Sequence, residues 1–281
     1  YPTRELNAQR MASLMVGEEF DGSLSMDTPS SGETGRKISL EIRSISCRGE
    51  KGVDVLDGLS LEAQAGEILG VAGIAGNGQE AMAECIMGLR VPYRGEIWFD
   101  GKRLDSLSPK EIMGHKIAYI PADRLGTAVA PTLSIQENLG LKKCVSSGFF
   151  LPLAEIGRNA LAQIKEFNIQ CTSPETPAQF LSGGNLQKLI LAREISSSPE
   201  LVIAVYPTRG LDVSATRFVQ EALLGLKRQG KTILYISEDL DEVFLVSDRI
   251  AVIRGGKIVS VEEKSRMDKI RIGLLMTGGT S

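Results

Sequence analysis

Histidine and cysteine are scarce in this chain, and their scarcity argues against two kinds of site. His115 is the only histidine in 281 residues, which rules out a His-rich metal centre and argues against a Ser-His-Asp triad. The four cysteines are far apart in the sequence and form no CxxC pair. A reduced, cytosolic chain fits that spacing better than a disulfide framework or a zinc site.

The sequence also lacks long apolar runs, a signal peptide and an excess of charge. No apolar stretch approaches the length that spans a bilayer, so we expect any membrane role to come through a partner. The first residues contain no apolar core of a signal peptide. The formal net charge of −3 provides no basic field for nucleic acid, which we do not expect as a partner. Because the chain starts without Met, we expect it to be a fragment of a longer protein.

What the sequence does contain is an alternation of short apolar segments and amphipathic stretches. Uniformly apolar short strands between helices predict an α/β fold with a parallel sheet covered on both faces. Residues 121–180 show no strong strand, so we predict a helical insertion over about 123–196. Before residue 38 we expect a short helix over 5–16 and then a linker. The predicted strands are 38–45, 59–63, 68–72, 95–99, 116–120, 201–205, 231–236, 250–253 and 257–261; the predicted helices are 79–87, 153–167, 213–228 and 240–246.

A glycine-rich loop follows the apolar segment at 68–72. Gly73 to Glu80 matches the spacing of the frame G-x-x-x-x-G-K-[ST], with Gly76 inside it. In that frame backbone N–H groups surround phosphate oxygens, the Lys reaches the β- and γ-phosphates, and the hydroxyl holds magnesium. Here Gln79 occupies the Lys position and Glu80 the Ser/Thr position. The candidate nucleotide-binding loop comprises Gly73, Gly76, Asn77, Gly78, Gln79 and Glu80.

These two replacements weaken the glycine loop as a phosphate site. A lost charge-assisted contact costs about 1.5–3 kcal/mol, and Glu80 adds a like charge near the γ-phosphate. A dinucleotide-binding turn is the alternative for this loop. No acidic residue stands at a strand end where that turn needs one, and the spacing fits less well.

The stretch FLSGGNLQKLILAR, residues 180–193, joins a short polar turn to an amphipathic run. Ser182 stands where a helix N-cap is expected, and Gly183 and Gly184 leave backbone N–H groups open at a positively polarised helix start. This arrangement predicts an anion site. A capped surface helix after a glycine turn is the alternative for the stretch considered alone.

Two further predicted strands end close to candidate functional positions. The strand at 201–205 ends where P-loop hydrolases carry a magnesium-binding Asp, but Val205 and Tyr206 can neither bind a metal nor act as a general base. Asp212 remains beyond the turn that follows. After the strand at 231–236, Glu238 opens a polar turn, and the acidic residues next to it also suit an ordinary helix start.

Together the glycine loop, YIPADR, LSGGNLQK, PTRGLD and ISEDLDEV form an ordered set. The sequence resembles the nucleotide-binding domain of ATP-binding cassette (ABC) transporters from Ile38 to Val261, and LSGGNLQK with PTRGLDV is a highly specific pair. The detail is similar to the second, C-terminal cassette of a duplicated importer ATPase for simple sugars or nucleosides. GVAGIAGNGQ and PADR, with SIQENL after it, favour the nucleoside-like branch. The lead-in ELNAQRMASLMVGEEF resembles the end of a first cassette.

The resemblance implies an architecture. It is a P-loop NTPase-like α/β cassette with a mainly parallel core sheet, an antiparallel β subdomain and a helical insertion. We expect a linker and cassette remnant over 1–36, the nucleotide-binding domain over 37–264 with its helical subdomain at about 123–196, and a tail over 265–281.

The resemblance also assigns roles to residues. The signature turn, Ser182 to Gly184, is expected to contact the γ-phosphate of an ATP held by an opposite cassette, and Asp212 matches the D-loop acidic residue at the cassette interface. Leu181, Asn185 and Gln187 complete the signature motif. Gly73, Gly76 and Gly78 match the phosphate-cradling glycines. We expect no catalytic residue acting on this chain's own nucleotide and no metal site of its own.

Five positions depart from the family pattern, and all five changes remove polar chemistry from one site. Gln79 replaces the loop Lys, Ala122 replaces a Gln or Glu, Val205 replaces the magnesium Asp, Tyr206 replaces the catalytic Glu, and Glu238 replaces the switch His. The segment Cys47–Leu56 also lacks the aromatic residue that stacks on adenine.

The leading hypothesis is therefore a degenerate cassette in an asymmetric transport ATPase, with little or no hydrolysis of its own. Its expected partners are a first cassette, in the same polypeptide or as a dimer mate, and transmembrane permease subunits. It would lie on the cytoplasmic face of the membrane, with ATP and magnesium at the partner's site and weak or absent binding here. The alternatives are a non-hydrolysing binding or scaffold module of P-loop fold and a soluble ABC ATPase outside transport.

Overall fold

The computed structural model describes residues 37–49, 51–146 and 152–278. The helix predicted over 5–16, and the whole 1–36 segment, lie outside the described residues. The strands are β1 (Ile38–Arg48), β2 (Asp54–Gln64), β3 (Ile68–Ala72), β4 (Arg94–Phe99), β5 (Lys102–Arg103), β6 (Ile117–Ile120), β7 (Leu201–Val205), β8 (Thr232–Ser237), β9 (Arg249–Arg254) and β10 (Lys257–Glu263). The helices are α1 (Gln79–Ile86), α2 (Pro109–Met113), α3 (Ile135–Ser146), α4 (Leu153–Glu166), α5 (Gly183–Ile195), α6 (Val213–Arg228), α7 (Leu240–Val246) and α8 (Lys269–Thr277).

The central layer is a sheet in the order β10-β9-β3-β8-β7-β6, parallel throughout except for the antiparallel β10. Every residue of β3, β7 and β8 is buried. Strands that are covered on both faces have no solvent side, which explains why their sequences are uniformly apolar instead of alternating. The predicted parallel core sheet is confirmed.

A second, antiparallel sheet has the order β2-β1-β4-β5. In β2 buried and exposed residues largely alternate, as expected for a sheet with one solvated face. Its inner face packs with α1 and one face of the central sheet into a single apolar cluster that includes Leu40, Leu59 and Met82. The glycine loop preceding α1 is therefore held between the two sheets.

The segment between β6 and β7 contains α3, α4 and α5, with no strand among its described residues. Leu186, Ile190 and Ile135 join the cluster on the other face of the central sheet. The bounds of the helical subdomain at about 123–196 stay a prediction. Among the described residues, no helix combines the length and the apolar character needed to cross a bilayer.

The parallel strands determine where the functional segments meet. Ala72 of β3 is aligned with Ser237 of β8, and Val205 of β7 is aligned with Ile236 of β8. The glycine loop, the turn after β7 and the turn after β8 therefore leave the sheet at one edge, where ligands of parallel sheets bind.

Several described elements were not predicted individually from the sequence, β5 and α3 among them. One turn of π-helix runs from Arg124 to Ala128 after β6, α2 begins at a Ser108 capping box, and α8 lies within the predicted tail. Ile272 and Met276 of α8 are buried in the core of the central sheet, so α8 is packed on the domain.

Gly70 provides a test of the central packing. A Cβ at Gly70 would lie 2.3 Å from Ser247 Oγ and 2.8 Å from Val243 Cγ1, because α7 packs directly on β3. We expect Gly70→Ala to lower the free energy of unfolding by about 1–3 kcal/mol, as overpacked cores do. Chemical denaturation measures it.

Gly273→Ala in α8 is the matched control, because nothing lies within 4 Å of its added Cβ. It should leave stability unchanged or slightly higher, since Ala favours helix over Gly. Equal destabilisation by both substitutions would contradict the packing described for β3.

Candidate functional site

The glycine loop between β3 and α1 is a closed turn. The Ile74 carbonyl oxygen accepts from Asn77 N at 3.2 Å, Asn77 Nδ2 at 2.8 Å and Gln79 Nε2 at 3.0 Å. Asn77 Oδ1 also accepts from Gly255 N at 2.7 Å, which ties the loop to the β9–β10 turn. Gly78 has φ 104°, and a Cβ there would lie 2.6 Å from the Val55 carbonyl oxygen, so only glycine fits.

Gln79 turns its side chain back into this loop. It is 1% exposed, and a Cβ at Gly73 would lie 2.7 Å from its Nε2. Its Oε1 is buried without a hydrogen-bond partner. The loop thus contains a neutral amide at the position where the G-x-x-x-x-G-K-[ST] frame has an ammonium. Glu80, the next residue, is exposed.

The turns after β7 and β8 bring Tyr206 and Glu238 together beside this loop. Tyr206 is buried, and it adopts a left-handed conformation, φ 46°, that side chains other than those of Asn and Asp seldom take. The Arg209 guanidinium lies 5.6 Å from the centre of its ring and 3.7 Å from Glu238 Oε1. Burial, assisted by the carboxylates of Glu80 and Glu238, raises the pKa of Tyr206 to about 12, so it carries a neutral hydroxyl at neutral pH.

Val205 and Ala122, two further positions that depart from the family pattern, are apolar residues in apolar surroundings. Val205 is fully buried, and Ala122 packs against the same apolar cluster from its edge. Within the described residues, no group of three His, Cys, Asp or Glu side chains is arranged to hold a metal ion.

Glu242 joins the two turns in a way the sequence did not indicate. Its Oε2 accepts from Thr208 Oγ1 at 2.6 Å, Ser237 Oγ at 3.0 Å and Tyr235 OH at 3.1 Å. The three hydroxyl-bearing residues are buried. The helix α7 that begins with the acidic cluster is thereby fixed to both strand ends, and Asp239 is its N-cap. The sequence showed the acidic cluster but not which of its members points inward.

The signature turn has the predicted geometry of a helix start. Ser182 is the N-cap of α5, and its Oγ accepts from Asn185 N at 3.4 Å and Asn185 Nδ2 at 3.0 Å. The N–H groups of Gly183 and Gly184 are the first two of the helix and have no intrahelical acceptor. Gly183 borders open space, with its nearest contact, Leu211 Cδ2, at 4.0 Å from a built Cβ. Leu181 packs inward against the core.

Asp212 stands next to this turn. A Cβ at Gly184 would lie 3.0 Å from Ala215 Cβ and 3.7 Å from Asp212 Oδ2. Asp212 caps α6, and the hydrogen bond from Ala215 N, with a second from Ser214 Oγ, lowers the pKa of its carboxyl. Gln187 is 1% exposed and faces the interior. The structure therefore gathers the candidate residues into two places, the strand-end edge and the signature face.

One aromatic residue lies where the sequence alone showed none. Tyr93 donates its hydroxyl to Asp54 Oδ2 at 3.0 Å, and the Arg48 guanidinium lies 5.1 Å from its ring centre. Both partners belong to the β1–β2 region, Cys47–Leu56, that has no aromatic of its own. The contact joins residues 39 positions apart, so local sequence gave no signal for it.

The model of the ABC transporter family matches residues 56–209, which include the glycine loop, the signature turn and the turn after β7. The chain belongs to the ABC transporter family. The cassette is 37% identical to the glucose import ATP-binding protein TsgD13 of Haloferax volcanii over 99% of this chain and 51% of that protein. It is 38% identical to the guanosine import ATP-binding protein NupO of Bacillus subtilis over 99% of this chain and 54% of that protein.

A third relative is the ribose import ATP-binding protein RbsA of Geobacillus kaustophilus, 32% identical over 98% of this chain and 54% of that protein. The chain thus spans about half the length of the curated relatives it matches. Among solved structures, the dimeric post-hydrolysis state of the ATP-binding cassette MJ0796 bound to ADP and Pi superimposes with a TM-score of 0.70. That match is 22% identical and covers 80% of this chain and 98% of that one, which confirms the predicted cassette fold.

Glu242 gives a direct test of the strand-end geometry. Glu242→Leu removes the acceptor of three buried hydroxyl groups, so we expect a loss of about 2–4 kcal/mol in the free energy of unfolding. Glu242→Gln retains one acceptor oxygen and should lose less. Urea denaturation measures both losses, with the dependence of the unfolding free energy on urea concentration required to keep the wild-type slope.

The control is the adjacent Asp241→Leu. The Asp241 side chain is 79% exposed and forms an exposed ion pair with Lys269, so its loss should change stability by about 1 kcal/mol at most. A Glu242→Leu variant as stable as this control would show that the three hydroxyls do not depend on Glu242.

Proposed function

We propose that this chain is the second, degenerate cassette of an importer ATPase, and that it supplies its signature turn to an ATP held by a partner cassette. The observation that carries the proposal is the contrast between its two sites. The signature face retains a capped helix with an open glycine turn and an ordered Asp212. The strand-end edge contains Gln79, Val205, Tyr206 and Glu238 where polar catalytic chemistry would be needed.

On the signature face, this chain's contribution comes mainly from backbone groups. The N–H groups of Gly183 and Gly184 point out of a helix start, where the macrodipole favours a negative charge. Ser182 and Asn185 are bonded to each other, so the turn is ordered before a phosphate arrives. ATP on the partner would supply the γ-phosphate. The role of this chain is to bind and orient that phosphate and to exclude water around it.

The residues of the chain's own site fit a triphosphate with magnesium poorly. The Gln79 amide fills the loop, its free oxygen is an acceptor, and the Glu80 and Glu238 carboxylates add negative charge at the same edge. The loop offers no ammonium to a phosphate and no serine or threonine hydroxyl to magnesium. We therefore infer weak or absent nucleotide binding and little or no hydrolysis here.

The named relatives support a cargo class. They are import ATP-binding proteins for glucose, guanosine and ribose, so we propose simple sugars or nucleosides as the cargo of the complete transporter. Its partners would be a first cassette and permease subunits at the cytoplasmic face of the membrane, with the part of the insertion at about 123–180 contacting the permease. The 1–36 segment would join the two cassettes. The retained signature turn disfavours a scaffold that never meets ATP.

The degenerate site predicts that the purified chain turns over little or no ATP. Gln79→Lys should not restore hydrolysis, because Val205 and Tyr206 still provide neither a metal ligand nor a base. Phosphate release by the monomeric protein measures this. Turnover at the rate of ordinary cassettes, by the wild type or by Gln79→Lys, is the result that overturns it.

The trans role predicts that Gly184→Asp in the complete transporter abolishes ATP-driven uptake. It adds a carboxylate at the signature turn, close to Ala215 and Asp212, where negative charge would oppose the binding of the partner's phosphate. Gly225→Asp in α6 is the control, since the nearest atom to its built Cβ is Arg228 Nη2 at 3.9 Å, and uptake should persist. If the Gly184→Asp transporter still drives uptake, the signature turn has no trans function.

A further inference from the structure

Arg124 lies at the junction of three segments that the proposed function uses separately. It belongs to the π-helical turn after β6, which leads into the helical insertion. Its Nε donates to Gln187 Oε1 of the signature helix α5 at 2.7 Å. Its Nη2 donates to the Arg209 carbonyl oxygen in the turn that leads to Asp212. A single guanidinium thus bridges elements that are 63 and 85 residues away in the sequence.

The turn that presents Arg124 is itself fixed. Asp123 caps it by accepting from Gly126 N at 2.9 Å, and Ala128 N and Val129 N donate back to the carbonyl oxygens of Asp123 and Arg124. At its far end Ala128 is buried in the central core. The turn therefore holds the Arg124 backbone in place while the guanidinium group contacts the other elements.

The chemistry of the contact indicates a geometric role. Both acceptors are neutral oxygens, and burial lowers the pKa of Arg124. Gln187 Nε2 is buried without a partner, because the amide is oriented to give its oxygen to Arg124. A half-buried charge and an unpaired amide both cost stability. Apolar packing would hold these elements together without either cost.

We propose that Arg124 is the positioning residue that holds the signature helix and the Asp212 turn in one fixed relation, and links both to the segment that enters the helical insertion. This inference rests on the proposed trans function. The signature turn and Asp212 must meet the same partner, so their relative placement decides whether the phosphate contact forms. Arg124 sets that placement from within, without touching nucleotide.

The first measurement is local. In Arg124→Met, native-state hydrogen exchange at Arg209 N and Leu211 N, which are bonded to Tyr206 O and Thr208 O, should quicken about tenfold or more. Exchange in α8 should stay at the wild-type rate. Arg124→Lys should behave like Arg124→Met, because one ammonium does not reproduce the two-pronged geometry of the guanidinium. Arg103→Met, which removes an exposed arginine paired with Glu96 and Asp105, is the matched control and should match wild type throughout.

The second measurement is catalytic and uses the complete transporter. Arg124→Met should reduce kcat by about tenfold or more, with a smaller change in KM, since a charge-assisted link is lost but no nucleotide contact is. Gln187→Leu should give a similar reduction, and combining the two should add little, because both remove the same link. Gln187→Glu retains the acceptor oxygen and should retain more turnover than Gln187→Leu.

The outcomes distinguish a failure of the proposed trans function from a failure of the positioning role of Arg124. Wild-type kcat together with wild-type exchange in Arg124→Met would overturn the positioning role. Full rescue by Arg124→Lys would also overturn it, by showing that charge alone is needed. If Gly184→Asp leaves turnover intact, the trans function itself fails. If Gly184→Asp abolishes turnover while the Arg124 variants equal wild type, only the inference about Arg124 fails.

Discussion

Backbone hydrogen bonding between β3, β8 and β7 is the constraint on which the rest of the molecule depends. Because these strands are parallel and in register, their carboxyl ends coincide, and three turns distant in sequence leave the sheet at one edge. The strands are buried on both faces, so a slip in register would expose or misplace an entire apolar set. The sheet therefore fixes the loop at Gly73–Gly78, the turn at Tyr206 and the turn at Glu238 relative to one another. Their side-chain chemistry can change without moving them.

This separation between scaffold and chemistry accounts for the contrast between the two sites. The signature face relies on main-chain N–H groups at a helix start, which persist as long as Gly183 and Gly184 keep the approach open. The strand-end edge depends on particular side chains, and under the proposed function Gln79 and Tyr206 stand there where a Lys and a catalytic Glu would be needed. The fold tolerates both replacements. Gln79 donates a hydrogen bond to the Ile74 carbonyl oxygen, and the Arg209 guanidinium lies over the ring of Tyr206.

The sequence was sufficient for every described strand except β5, for the glycine loop and for the signature helix, because periodicity, Ser182 and the paired glycines are local signals. It was insufficient where a contact joins distant residues. Tyr93 donates a hydrogen bond to Asp54, and Arg124 donates one to Gln187 of α5. Glu242 accepts hydrogen bonds from Thr208, Tyr235 and Ser237. None of these contacts produces a periodic pattern in the sequence. Helix α8 was missed because only Ile272 and Met276 are buried, too few for a clear apolar face. The inward turn of Gln79 was equally hidden, since an amide side chain suits solvent as well as a buried loop.

That inward turn has a further consequence. A phosphate-binding loop normally relies on its ligand to satisfy converging N–H groups, so its order changes through the catalytic cycle. Here Asn77 Nδ2 and Gln79 Nε2 both donate to the Ile74 carbonyl oxygen, so two of the loop's own side chains stabilise its turn. Under the proposed arrangement, a pair of cassettes then senses the nucleotide pool through a single site. If that proposal holds, the transport rate would rise hyperbolically with ATP concentration, without the sigmoidal response that two coupled sites produce.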